Sequence, residues 1–146
     1  MKYNDVKTLS DDFSKLIAYG RVNKISNTYY SKKLNEIEEI ISKEIASIEK
    51  SISPELKNLE KAIFKFADEN IGKELDTIDK SIEARFRLGF ENLSEEDKKK
   101  HTDLYADYTT FMELECDMNV KLIDLNQCPN VDFDYDAYKL VKNFLK

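Results

Sequence analysis

Three polar residues stand where a helix wheel calls for apolar ones: His101, Glu115 and Asn119. At 100° per residue, Glu115 falls near the middle of an arc shared by Tyr108, Met112 and Leu122. Asn119 lies one turn further along, and His101 lies two heptads before Glu115. A carboxylate on such a face needs a partner, or its pKa rises. The chemistry open to it is that of a bundle-interior acid, base or metal ligand. The structural alternative is a Glu at a bundle seam that reaches a neighbouring Lys or Tyr.

No metal pattern recruits these residues. A carboxylate-bridged di-metal bundle wants Glu-x-x-His, but Lys98 stands three residues before His101, the single histidine. Cys116, Cys128 and His101 are too few for zinc. Acidic pairs at Mg²⁺-binding spacing occur as Glu36/Glu39, Asp76/Asp79 and Glu113/Asp117. With 29 acidic residues in the chain, such spacings arise by chance. Asp132, Asp134 and Asp136 match the start of a calcium loop, but Ala137 replaces the glycine and Asn143 the closing Glu. Neither cysteine has a base at hand for nucleophilic catalysis. No catalytic residue, metal or cofactor is therefore assigned.

The second signal is charge. Nine acidic residues and one basic residue, Lys121, lie between Thr102 and Tyr138, a net of −8 against −6 for the whole chain. That field repels nucleic-acid backbone and anionic lipid and attracts a basic protein surface. The expected contact residues are Asp103, Asp107, Asp117, Asp124, Asp132, Phe133, Asp134, Tyr135 and Asp136. Aromatic rings beside carboxylates supply buried contact area to a partner rich in Arg or Lys.

The elements that position these residues read as helices. Gly (3) and Pro (2) are scarce, which argues against an all-β chain and against glycine-rich phosphate loops. Ser94 with Glu95, Glu96 and Asp97 is an N-cap and acidic first turn. A long helix from 95 to 126 is expected to follow, although Leu114, Val120 and Leu125 spoil its wheel. Ser31 to Ile52 carries a narrow isoleucine stripe of coiled-coil character. Ser53-Pro54-Glu55 is a stop and restart. Beyond it lies either one bent helix from 55 to 88 or two meeting near Asn70-Ile71-Gly72, with Gly89 as a C-cap. A first helix is expected from Ser10-Asp11-Asp12, with Gly20 weakening or ending it. Arg21 to Thr28 is ambiguous. The last helix starts near Asp134 and buries Ala137, Leu140, Val141 and Phe144.

The expectation is one all-α domain over 1–146, an antiparallel bundle of five or six helices with three long amphipathic segments. Met1 to Val6 lacks an apolar run, so no secretory signal is expected, and no stretch approaches a membrane span. Two cysteines make no disulfide framework, so a cytoplasmic setting with reduced thiols is expected. The leading functional reading is a small acidic protein-binding module: an inhibitor, adaptor or chaperone engaging a basic surface, with no direct nucleic-acid or membrane contact. One alternative is a Mg²⁺-dependent phosphate-processing enzyme using bundle carboxylates. The other is a homodimeric assembly component joined through the isoleucine stripe. The balance of residues favours binding over catalysis.

Overall fold

The computed structural model describes residues 1–70 and 81–146. Six α-helices occur among them: α1 (Tyr3–Val22), α2 (Thr28–Ser51), α3 (Pro54–Asn70), α4 (Ile82–Glu91), α5 (Glu95–Met112) and α6 (Tyr135–Val141). Two 3₁₀ turns, Leu125–Gln127 and Lys142–Phe144, complete the regular structure. The class is an all-α helical bundle, with only two isolated β-bridges and no strand among the described residues. The chain divides into two compact units. The first comprises Met1–Glu49 and Met112–Lys146, and the second Lys50–Phe111.

In the first unit, α1 starts seven residues before the expected serine cap. Val6 and Leu9 extend the stripe of Phe13 and Leu16, and all four are buried. Gly20 does not end the helix. The stop comes after Val22, where Ile25 N–H donates to Gly20 O (3.0 Å) and Lys24 N–H to Arg21 O (3.4 Å). Those two bonds form a Schellman closure, which places Lys24 at φ 52°, a conformation usually given to glycine. Asn27 then caps α2, its Oδ1 accepting from Tyr30 N–H at 2.9 Å. Ile37, Ile41 and Ile48 of the isoleucine stripe are buried within the chain.

The largest departure from expectation is the helix across 95–126, which ends at Met112. From Cys116 to Leu122 the chain is irregular, with Met118 N–H donating to Cys116 O and Leu122 N–H to Val120 O, and its even-numbered residues point inward. Cys116 and Val120 are buried and Met118 and Leu122 half-buried, while Asp117, Asn119 and Lys121 are exposed. That is a period of two, and it explains why Val120 spoiled the helical wheel. The backbone finds partners far along the chain instead of four residues back. Tyr3 N–H donates to Leu114 O (3.2 Å) and Cys116 N–H to Met1 O (2.7 Å). Further on, Ile123 N–H donates to Phe144 O and Lys146 N–H to Ile123 O, both at 2.9 Å. The Tyr29 hydroxyl bridges Leu122 O and Asp124 N–H. With these groups satisfied in this way, a helix offers them no advantage. The core of the unit joins α1, α2, this irregular segment and the C-terminal turn, with Phe13 meeting Phe144 edge-on at 5.5 Å.

In the second unit, Ser53 and Pro54 start α3 as the sequence predicts, Ser53 Oγ accepting from Leu56 N–H at 3.1 Å. The question of one helix or two over 55–88 resolves in part. Ser81 is extended (ψ 155°) and its side chain caps α4 by accepting from Ala84 N–H, so α4 is a separate helix. Asn70 is the last residue of α3, while Ile71, Gly72, Leu75 and Ile78 lie outside the described residues. Gly89 is not a C-cap but a contact point inside α4. A Cβ placed there would fall 1.9 Å from the carbonyl oxygen of Ile63 on α3, so only glycine lets the two backbones approach this closely. Arg85 strengthens the pair by bonding Asp68 through Nε (3.0 Å) and Nη2 (2.7 Å). Ser94 caps α5, as expected.

Candidate functional site

The three polar anomalies separate once the fold is known. Glu115 is on the surface, its carboxylate 2.9 Å from the Met1 amine. Asn119 is exposed, and its Oδ1 accepts from Lys121 N–H in a local turn. Both were placed on an apolar face only by continuing α5 past its end. His101 alone is buried, at 5 % exposure.

His101 lines a concavity of the second unit. Three helices line it with residues four apart: Glu60 and Phe64 on α3, Phe86 and Phe90 on α4, and His101 and Tyr105 on α5. Residues at that spacing share a helix face, so each helix presents a matched pair. Ile82, Glu83 and Thr102 complete a half-open groove of about 500 Å³. His101 Nε2 lies 3.4 Å from Glu60 Oε1. Its ring stacks on Tyr105 (5.9 Å, 10°) and meets Phe90 edge-on (5.6 Å, 71°). Phe86 and Phe90 stack in turn (5.6 Å, 20°). In the sequence, His101 stood out as a lone polar residue. Phe64, Phe86, Phe90 and Glu60 carried no comparable signal, because an aromatic at helical spacing reads as ordinary core. The overlooked signal was the recurrence of i,i+4 pairs on three successive helices.

The expected acidic contact residues divide between the units. Asp103 and Asp107 are exposed on α5 of the second unit. Asp117, Asp124, Asp132, Phe133, Asp134, Tyr135 and Asp136 belong to the first. They are not one face of one helix, since that helix ends at Met112. Two of them serve the backbone: Asp124 accepts from Asn126 N–H (3.0 Å), and Asp134 caps α6 by accepting from Ala137 N–H (2.9 Å). Phe133 is half-buried against Tyr30 and Tyr19. Asp117, Asp132 and Asp136 are exposed and enter no salt bridge among the described residues. Tyr135 is 74 % and Tyr138 48 % exposed. Between these groups lies a shallow cleft of about 260 Å³, lined by Leu125, Cys128, Pro129, Val131, Asp132, Phe133 and Tyr138.

In each described candidate Mg²⁺ pair one carboxylate is already engaged, and the third pair is undescribed. Glu113 accepts from Lys2 Nζ (2.7 Å) and Asn4 Nδ2 (2.6 Å), and Glu36 pairs with Lys33 at 3.0 Å. Asp76 and Asp79 lie outside the described residues. Among those described, no group of three or more His, Cys, Asp or Glu side chains is placed to hold a metal ion. No described helix is long and apolar enough to cross a membrane. Both cysteines are free and buried. Burial, and then a hydrogen bond with Glu44, pushes the Cys116 thiol up to about 11. Burial, followed by the nearby Asp124 charge, raises Cys128. Neither thiol is activated for attack at neutral pH.

Among the described residues, the fold is a helical bundle that carries an aromatic groove and an acidic-aromatic surface. In comparisons with known proteins, no family model matches the chain, and neither a curated protein nor a solved structure matches it significantly.

Proposed function

We propose that this chain is a protein-binding module whose first unit receives a basic segment of a partner protein. The observation that carries the reading is the cleft lined by Leu125, Val131, Phe133, Tyr138 and Asp132, where apolar side chains, a half-exposed tyrosine and a carboxylate that enters no salt bridge among the described residues coincide. Asp132 is in the cleft wall, and Asp136 stands between Tyr135 and Tyr138 in sequence. An isolated acidic run is ordinary solvated surface. Acidic groups beside an apolar depression and exposed tyrosines match the composition of protein-recognition patches, where aromatic anchors supply contact and charge selects the partner. Lys139 Nζ sits 4.2 Å from the Tyr135 ring centroid, so a cation already finds this surface favourable within the chain.

The test is an NMR titration of the labelled chain with a leucine-containing peptide rich in Lys and Arg. Amide signals from 124 to 138 should move, and binding should weaken as salt rises from about 50 to about 300 mM. The double reversal Asp132→Lys/Asp136→Lys should abolish the shifts, while Glu38→Lys/Glu39→Lys on α2 should have a much smaller effect. Equal losses from the two double variants, or shifts indifferent to salt, would refute the assignment.

A further inference from the structure

The groove of the second unit has a chemical character distinct from the acidic cleft. Its rings form a corner. One near-parallel pair, Phe86 and Phe90, meets another, His101 and Tyr105, at 71° between Phe90 and His101 and at 52° between Phe86 and His101. Aromatic faces carry negative potential, and rings set at steep angles can address one positive centre from several sides. Among the described residues, the carboxylates lining the groove are Glu60 and Glu83, and neither Lys nor Arg lines it. The Glu60 carboxylate is partly exposed (40 %) while the His101 ring beside it is buried, so negative charge stands at the mouth and aromatic surface within.

From this we infer that the groove binds a small free organic cation, a quaternary ammonium group carried on a short alkyl body. Its volume of about 500 Å³ lies within the range of small-molecule sites. A neutral apolar guest would use the rings but gain nothing from the two carboxylates, and an anion would be repelled by both. The same set of rings already accepts a cation: the Arg85 guanidinium lies 5.2 Å from the Phe64 centroid, held there by Asp68. Arg85 thus engages Phe64, leaving Phe86, Phe90 and Tyr105 as the rings for an incoming ion. A quaternary ammonium is weakly hydrated and has no N–H to satisfy, so it suits a wall made mainly of carbon.

The chain's single histidine provides the readout, since the ring-proton signals of His101 are unique in the spectrum. The probes are choline and 3,3-dimethylbutan-1-ol, which has the same shape with carbon in place of nitrogen, titrated at constant pH. Choline should move the His101 ring protons saturably, and the neutral isostere should bind at least about tenfold more weakly. Glu60→Gln should weaken choline about three- to tenfold and leave the isostere unchanged. Tyr105→Leu, at a half-exposed position, should weaken choline more than the isostere. Equal binding of the two probes would identify a merely apolar groove and overturn the inference. So would unmoved His101 signals at millimolar choline, or a Glu60→Gln variant that binds choline as well as the parent.

Discussion

The two units build their interiors differently. In the first, apolar side chains from α1 and α2, Phe13 and Tyr30 among them, pack on the irregular 116–122 segment, and long-range backbone bonds tie 1–3 to 114–116 and 123 to 144–146. In the second, helix packs on helix, the backbones of α3 and α4 touch at Gly89, and aromatic rings surround a buried imidazole. Non-local backbone pairing lets the first unit carry a segment of weak helical character. Close helix packing leaves the second dependent on one residue without a side chain. The lesson is that the same residue type has opposite value in the two places.

Glycine gives the sharpest break. Gly89→Ala should destabilise the second unit by on the order of 3 kcal/mol, because the clash is with backbone and no flexible side chain can yield. Hydrogen exchange should show protection lost first in α3 and α4; unchanged protection there would mean that the helices separate without cost. Tyr30→Phe probes the first unit. The Tyr30 hydroxyl is buried without a hydrogen-bond partner among the described residues, and burial, followed by the neighbouring Cys128 and Tyr19, raises its pKa. Removing that oxygen should stabilise by about 1 kcal/mol, read from denaturant midpoints. A loss of stability would reveal a partner for the hydroxyl.

Gly20→Ala should also stabilise, by about 0.5–1 kcal/mol, since Gly20 is inside α1 with nothing within 4 Å of an added Cβ. Set beside Gly89→Ala, it tests whether space or backbone freedom decides the sign. The smallest effect is expected at the exposed pair closing the first unit. Lys2, by hydrogen bond and then charge, holds the Glu113 carboxyl below its ordinary value. The contribution of a carboxylate with a depressed pKa is present above its unfolded pKa and is lost as pH falls through the folded one. Glu113→Gln should therefore lower the melting temperature slightly at pH 7, with the difference from the parent closing in strong acid. A gap that persists fully at low pH would point to packing instead of charge.

Several elements were legible because their signals are local. Ser53-Pro54, Ser94 and Asp134 each mark a helix start, and each caps one. The isoleucine stripe of α2 and the buried Ala137, Val141 and Phe144 follow from helical period alone. At the candidate sites, His101 was visible as a polar residue among apolar ones, and the 132–136 alternation as acid beside aromatic. What hid Glu60, Phe64, Phe86 and Phe90 is that a groove and a core use the same residue types at the same spacing. Only the arrangement of three helices separates them.

Residues 113–126 mark the boundary between the two kinds of information. Their composition and lack of Gly or Pro are compatible with helix, and Thr109 and Thr110 still bond back to Tyr105 O and Ala106 O before α5 ends. Whether Leu114 O and Cys116 N–H join a helix or the first residues of the chain depends on partners more than 100 residues away. Local propensity is worth tenths of a kcal/mol per residue, and satisfied long-range pairing with burial of Val120 and Ile123 outweighs it. The sequence by itself therefore determined the all-helical class, the caps and the regional charge. Tertiary structure decided that Glu115 and Asn119 face water, that the acidic residues divide between two units, and that His101 lies at the heart of an aromatic groove.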